Sequence, residues 1–452
     1  MTQKSIHLNL FVHGRGHHEA GWRHPRATRL PLTDIRYYES LAKKAEEGKF
    51  DSIFFADGLA LNEGIGHVAG GALEPLTTVA AMAAATRHIG FIATASTTYY
   101  EPFNLARLFA SLDHITNGRV GWNIVTSWVR GANQNFGIDI QPLHEQRYDR
   151  AYDFVDAVLK LWDSWAEDAI VDDPQQAVYA RTDRIAAVNH AGKHVKVAGP
   201  LNIARGPQGR PVLVQAGSSA TGIRFAARHA EAVFTAHLEK STATAFYTEL
   251  KAAARQAGRS PEQVVVLPGI SPVIGSTDEE ALRTWNELNE LTDPQVGLTR
   301  LSDRFGGFDF SHLDLDHVLT LKDFPDPATV QAAKSRAVVI TGLVARERLT
   351  LRQLLHRLAG ARGHFTLAGS PQRIADKIED WVRSGAADGF NVMPPVLPGH
   401  LDDFVEHVVP ILQKKGLFRR EYESSTLRGH YGLDAVPSRW TQNLGQGVAI
   451  AV

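Results

Sequence analysis

Cysteine is absent from the 452 residues, which excludes disulfides, thiolate nucleophiles, iron–sulfur clusters and thiolate zinc sites. Neither sign of charge is in excess, because 48 Lys and Arg stand against 49 Asp and Glu, and nucleic acid is therefore not an expected partner. No apolar run approaches the roughly 20 residues that a membrane span needs. The N-terminal apolar residues alternate with others instead of forming a signal-peptide block. We therefore expect a cytoplasmic protein that does not bind membranes.

Three common catalytic motifs are also missing. No Gly-x-Gly-x-x-Gly follows the first predicted strand, and the chain contains neither a Walker loop nor a Gly-x-Ser-x-Gly elbow. The sequence thus gives no support for Rossmann-type nicotinamide binding, phosphoryl transfer or esterase chemistry.

Short apolar segments rich in β-branched residues alternate with stretches of helical periodicity, a pattern that predicts parallel βαβ units. We expect strands at 6–12, 52–56, 89–96, 120–125, 212–217, 230–234, 264–270 and 388–393. We expect helices at about 33–48, 76–87, 103–116, 145–166, 219–230, 241–257, 278–290, 371–384 and 401–415. Eight such units favour a closed (β/α)8 barrel, and a doubly wound open sheet is the alternative.

Two stretches interrupt the alternation, and we interpret both as insertions in the loops of a single barrel domain covering 1–452. Residues 167–208 are typical of irregular or hairpin structure. Residues 291–370 carry a predicted helix at about 327–358 and little strand signal. The glycines at 306 and 307 predict a mobile lid whose apolar cover is Phe305, Phe308 and Phe310. A surface excursion packed on barrel helices or on a neighbouring subunit is the alternative.

Two helix starts carry groups that suit a phosphate. Ser218 and Ser219 follow the strand at 212–217, so their hydroxyls and the free N–H groups of the next helix lie at a strand end. His144 and Tyr148 are four residues apart and share one face near the positive end of the following helix. An ordinary serine cap and a hydrogen-bonded histidine beside a core tyrosine are the alternatives.

Polar side chains end three further strands. Asp57 ends the second strand, where it can accept a hydrogen bond from a ligand N–H or cap the loop. Thr94 begins a run of hydroxyls in the third strand, and Asn123 lies in the polar half of the fourth. Several polar strand ends together indicate a ligand site, although a single threonine is more often simply a β-former.

Histidines cluster after the first strand, at His13, His17 and His18. The cluster raises a metal hypothesis, but its spacing lacks the helical carboxylate context of metalloproteases, so we favour a pocket wall and expect no metal. His17, His18 and Asn123 are the candidates for catalysis. Together with Arg15 and Arg23, His17 and His18 would favour an anionic substrate if they face the pocket, and surface contacts are the alternative.

These segments, in their order along the chain, resemble the bacterial luciferase-like superfamily. Within it, the chain is similar to the group of nitrilotriacetate monooxygenase, pristinamycin synthase and dibenzothiophene-sulfone monooxygenase large components. The resemblance spans nearly the whole chain and rests on residues 21–25, 112–127, 135–137, 144–148, 161–165, 199–202, 207–211, 215–219, 388–395, 409–410 and 416–419.

The resemblance implies a flavin-dependent monooxygenase in which FMN in its reduced form (FMNH2) is a co-substrate. A separate NAD(P)H-dependent flavin reductase would supply it, and dioxygen would oxidise a small organic substrate. A homodimer or homotetramer is expected. A deazaflavin-dependent reductase and a non-catalytic flavin-binding or light-emitting protein are the competing interpretations.

The resemblance also assigns cofactor contacts. Asp57 and Thr94 would contact the flavin ring region, and the ribityl phosphate would be held by His144, Tyr148 and Ser219. Ser218 and Asn123 are additional contacts.

Overall fold

Eight parallel strands close a barrel in the computed structural model, which describes residues 5–61, 64–127, 129, 131–330, 334–361 and 363–438. The strands are β1 His7–Val12, β2 Ser52–Phe55, β3 Gly90–Ser96, β4 Val120–Val125, β5 Val212–Gln215, β6 Ala232–Thr235, β7 Val265–Ile274 and β8 Gly389–Val392. Each strand pairs with the next along the chain, and β8 pairs with β1. The predicted closed barrel is confirmed, and the doubly wound alternative is wrong.

Helices alternate with the strands. The first six, each following the strand of the same number, are α1 Ile35–Glu47, α2 Pro75–Ala84, α3 Pro102–Ile115, α4 His144–Trp162, α5 Ala220–His229 and α6 Lys240–Gln256. Between β7 and β8 lie α7 Asp278–Glu290, α8 Pro294–Arg304, α9 Lys334–Arg346, α10 Leu351–Ala361 and α11 Pro371–Arg383. After β8 come α12 Gly399–Asp403, a π-helical turn Phe404–Val408, α13 Val409–Lys414 and α14 Leu427–His430. In the described part of the chain, no helix is both long and apolar enough to cross a bilayer.

Side chains of the strands alternate between the barrel interior and the surrounding helices, as the pleat requires. Leu8 and Leu10 of β1 pack outward in the main core, whereas Phe11 packs in a separate interior cluster that includes Leu427 and Tyr431. The hydroxyl of Tyr431 donates to Asn9 Oδ1 at 2.8 Å. The C-terminal segment therefore fills the amino-terminal end of the barrel, and the carboxyl ends of the strands form the open mouth.

The first insertion consists of two short antiparallel hairpins, as expected for 167–208. One pairs Ile170–Asp173 with Val178–Ala180, and the other pairs His190–Ala191 with Lys196–Val197. Asp153 of α4 anchors the second hairpin, because its carboxylate lies 2.7 Å from His190 Nε2 and accepts the N–H of His194 at 2.6 Å.

The second insertion differs from its prediction in two respects. The single helix expected at 327–358 is wrong, because α9 ends at Arg346 and α10 begins at Leu351. The backbone between them bonds another segment: Leu349 O accepts from Leu319 N at 2.9 Å, and Leu351 N donates to His317 O at 2.9 Å. The strand Phe365–Gly369 was also missed, and it pairs with the second half of β7, from Ile270 to Ile274.

The phenylalanines of this insertion form its own core. Phe305 and Phe310 are only 4% and 1% exposed, and they pack with Phe324 and with leucines of α10. The prediction that they cover the pocket is therefore wrong for both. Phe308 is 37% exposed and packs edge-on against Phe310. Movement of the insertion remains a prediction.

Candidate active site

A cavity of about 300 Å³ opens at the carboxyl ends of the strands, a volume at the lower end of the range for small-molecule sites. Five of the residues proposed from the sequence line it, namely Asp57, His144, Tyr148, Ser218 and Ser219. They come from the loop after β2, the start of α4 and the turn between β5 and α5, so the barrel brings together groups that are up to 162 positions apart, from Asp57 to Ser219.

The start of α5 forms a cradle for an anion. Ser219 caps the helix by accepting the N–H of Gly222 at 3.1 Å. Gly217 precedes it, and a Cβ there would collide with the Gln215 amide nitrogen and would lie 2.9 Å from the Tyr148 hydroxyl. Glycine is therefore required for the close approach of strand end, helix start and Tyr148. The first N–H groups of a helix in such a position are suited to bind a phosphate.

Tyr148 and His144 supply hydrogen-bond donors at the same place. Their rings lie 5.0 Å apart on α4, and Tyr148 also packs edge-on against Phe225 of α5. Burial raises the pKa of Tyr148, while the side chains of Ser219 and Gln215 within hydrogen-bonding reach act in the opposite direction. The phenol is therefore protonated at neutral pH and can donate a hydrogen bond.

Asp57 is the sole carboxylate among the described residues that line the cavity. It is half-buried just after β2. Burial raises its pKa, the charge of Glu74 adds to the increase, and the Gly58 N–H opposes it. A carboxylate in this position can accept a hydrogen bond from a ligand N–H.

Thr94 and Asn123 lie inside the barrel and do not line the cavity. The Asn123 amide donates to Thr94 Oγ1 at 2.7 Å, and that hydroxyl donates to Phe55 O at 2.6 Å. Both side chains are 2% exposed, and no described group donates to Asn123 Oδ1. The pair links β2, β3 and β4, and a direct contact to the flavin remains a prediction.

The histidines after β1 lie beside the main cavity and not in its lining. His17 is buried with Nε2 2.9 Å from Phe11 O, and His18 lies 3.2 Å from Asn289 Oδ1. Burial lowers the pKa of His18 to about 4, so it is neutral at physiological pH. Within the described ranges, no three His, Asp or Glu side chains come together as a metal site.

The two arginines suggested as substrate contacts bind backbone carbonyls instead. Arg15 donates to Leu30 O at 3.1 Å, and Arg23 donates to Leu291 O. Neither lines the main cavity. They therefore do not meet the condition under which they would favour an anionic substrate in this cavity, and the alternative, contacts outside the pocket, fits both.

The lining residues that were not proposed from the sequence include Arg147, Gln215 and Arg336. Arg147 and Gln215 belong to segments already noted, and their neighbours His144 and Gly217 could have directed attention to them. Arg147 donates to Pro142 O at 2.6 Å, and burial lowers its pKa. Arg336 comes from α9 in the second insertion and had no local signal.

The family model for luciferase-like monooxygenases matches residues 7–388. The chain belongs to this family. It is 43% identical to N-acetyl-S-(2-succino)cysteine monooxygenase of Bacillus subtilis (strain 168) over 440 residues, which cover 97% of this chain and 99% of that protein. It is 45% identical to nitrilotriacetate monooxygenase component A of Aminobacter aminovorans, covering 96% and 97% of the two chains.

The solved structure of one relative contains a flavin. The crystal structure of a riboflavin lyase with modified FMN and riboflavin matches with a TM-score of 0.85 and 29% identity, covering 96% of this chain and 97% of that one. The predicted family and the predicted enzyme class, a flavin-dependent monooxygenase, are therefore confirmed. The deazaflavin-reductase and non-catalytic alternatives lose support.

Proposed function

We propose that this enzyme takes reduced FMN as a co-substrate from a separate flavin reductase and inserts one atom of dioxygen into a small organic molecule bound in the same cavity. The observation that carries the proposal is the phosphate cradle at the start of α5, which lies at the open mouth beside Tyr148 and His144. A single cavity thus offers both a phosphate site and space for a ring.

The residues present fit FMN. The phosphate requires donors without competing acids, and on the β4–β5 side the lining provides hydroxyls, helix N–H groups and Arg147. Asp57 on the β2 side is placed to accept an N–H of the ring system. Leu59 and Ile124 add apolar surface to the cavity wall. Ser218 and Asn123 remain proposed additional contacts.

The chemistry divides between cofactor and protein. When bound, reduced FMN supplies the two electrons for the overall reaction, in which substrate and dioxygen give oxygenated substrate and water while FMNH2 becomes FMN. The protein binds the phosphate, orients the ring and keeps water from the reacting centre. His17, His18 and Asn123 remain the candidates for proton handling, and none of them is assigned a step.

The reductase partner is proposed from two observations. The chain lacks a dinucleotide-binding fingerprint, and one relative is named as component A of its enzyme. We also propose that the chain assembles as a homodimer or homotetramer.

The test supplies photoreduced FMN to the purified chain under air and screens thioethers, amines and sulfones. We expect substrate-dependent oxygen uptake, with one labelled oxygen atom from ¹⁸O₂ in the product, and no oxidation of NADH or NADPH by the chain alone. Rapid nicotinamide oxidation without a reductase would contradict the two-component proposal. Turnover with a reduced deazaflavin but not with FMN would contradict the choice of cofactor.

A further inference from the structure

The second insertion brings a cation to the mouth of the barrel. Arg336, in the first turn of α9, lines the same cavity as Asp57 and Gly217. Its Nη1 donates to Gly363 O at 3.2 Å, and its Nη2 lies 2.8 Å from His364 Nε2. Since guanidinium only donates, His364 accepts this bond through Nε2. Two contacts therefore fix the guanidinium, and no other group among the described residues hydrogen-bonds its remaining N–H groups, which can serve a ligand.

His364 is itself held firmly, which gives Arg336 a defined position. Its ring stacks on Phe234 of β6 with centroids 4.9 Å apart and an angle of 4°. It also lies directly over Gly269 of β7, where a Cβ would collide with Nδ1. Arg336 is thereby placed on the β6–β7 side of the mouth, whereas the phosphate cradle lies on the β4–β5 side.

Positive charge is in excess around Arg336. Among the described residues, no acidic side chain forms an ion pair with it, and the charged group that acts on it is Arg304. Burial and this neighbour lower the pKa of Arg336 to about 9. Burial also lowers the pKa of Arg304 to about 10; of the two acids that act on Arg304, Glu19 is already bound to Arg300 at 2.7 Å and Asp303 is its neighbour in the chain.

His237, whose pKa Arg336 affects, adds no negative charge. Burial, and after it the charge of Arg336, lower the pKa of His237 to about 4. This imidazole lies 2.9 Å from Thr235 Oγ1 and 3.2 Å from Thr242 Oγ1. It is therefore neutral at physiological pH. Arg336 is partly buried where it lines the cavity, so a bound anion would supply the counter-charge that its guanidinium lacks among the described residues.

We propose that Arg336 binds a carboxylate of the substrate, so that this enzyme oxidises small organic acids. The proposal rests on the proposed function, because it assigns the second ligand of the same cavity. The planar guanidinium donates two parallel hydrogen bonds to a carboxylate, which fixes orientation as well as position. The bound acid would then lie beside the flavin ring, held from the β6–β7 side. A neutral sulfone or alkane would leave Arg336 uncompensated.

The experiment measures binding without turnover. The full chain, loaded with oxidised FMN, is titrated by calorimetry with propane-1,2,3-tricarboxylate, which has no readily oxidised atom, and with its trimethyl ester. We expect the acid to bind at least about 10-fold more tightly than the ester. In Arg336→Gln this preference should fall by about 10- to 100-fold, the usual effect of losing a charge-assisted pair.

Arg346→Gln is the matched control. Arg346 ends the same helix and forms an exposed ion pair with Glu239 at 2.8 Å, remote from the cavity lining. This variant should keep the preference for the acid. FMN and riboflavin affinities of Arg336→Gln should equal those of the wild type.

Three results would overturn the proposal: equal binding of acid and ester by the wild type, an unchanged preference in Arg336→Gln, or an equal loss in Arg346→Gln. A selective loss of FMN over riboflavin binding in Arg336→Gln would instead assign Arg336 to the flavin phosphate. Failure of the proposed function would be visible separately, as acid binding without oxygen uptake from any reduced flavin.

Discussion

Replacing Tyr148 with phenylalanine tests the phosphate cradle with the smallest change. The ring, which packs against His144 and Phe225, is retained, and one hydroxyl is lost. That hydroxyl lies 2.9 Å and 3.1 Å from the positions that Cβ atoms would take on Gly217 and Gly222, at the start of α5. A hydrogen bond to a charged group contributes about 1.5–3 kcal/mol, which corresponds to a roughly 10- to 150-fold weaker complex.

The assay is an anaerobic titration with photoreduced FMN and with reduced riboflavin, which lacks the phosphate. FMN binding should weaken by the stated factor, and riboflavin binding should change little. Tyr152→Phe is the control, since Tyr152 lies one turn further along α4 and packs against the same Phe225 at 5.0 Å without lining the cavity. Equal losses for both flavins, or an equal effect of Tyr152→Phe, would refute the reasoning.

Three further outcomes are expected. Gly217→Ala should weaken FMN binding by about 1–3 kcal/mol, because its Cβ overpacks the cradle, and an unchanged flavin titration would contradict this. Phe310→Ala should lower the free energy of unfolding by about 3–5 kcal/mol in urea denaturation, because Phe310 is a core residue of the insertion; loss of coupling without loss of stability would instead support a lid. Asp113 is fully buried and bonded to Gln208 Nε2 at 2.7 Å, and burial raises its pKa to about 6. Its folded state therefore favours the protonated acid, and stability is lost as the pH rises through about 6. Asp113→Asn should accordingly be more stable than the wild type by about 3 kcal/mol at pH 8 and show little difference near pH 4, so a pH-independent difference would contradict the assignment.

The barrel could be predicted because its evidence is local and repeated. Each strand is a short apolar run followed by a helix, and eight such units are compatible with few folds. The strand Phe365–Gly369 lacked that signal: it is half-buried and pairs only with the part of β7 that extends beyond the barrel. The break between α9 and α10 also has a tertiary cause, since residues 317 and 319 take the hydrogen bonds that would continue the helix.

The candidate site could also be predicted only in part. Ser219 and Tyr148 were predicted because a helix start after a strand and an i, i+4 pair are visible in the sequence. Arg15 and Arg23 were candidates for contact with an anion only if they face the pocket, and the sequence does not reveal that both guanidinium groups bind backbone carbonyls instead. Arg336 could not be found, because only the packing of the insertion on the barrel brings it to the cavity.

The separation of the barrel from the second insertion has a functional consequence. The phosphate cradle is built from the starts of α4 and α5, whereas Arg336 belongs to an insertion whose leucines and phenylalanines form a core separate from that of the barrel. Side chains of the insertion can therefore change without disturbing the residues that hold the flavin. If Arg336 binds the substrate, the barrel determines the cofactor and the insertion determines the class of substrate. Substrate range should then follow the residue at position 336 and its immediate support, Gly363 and His364, while FMN affinity stays constant.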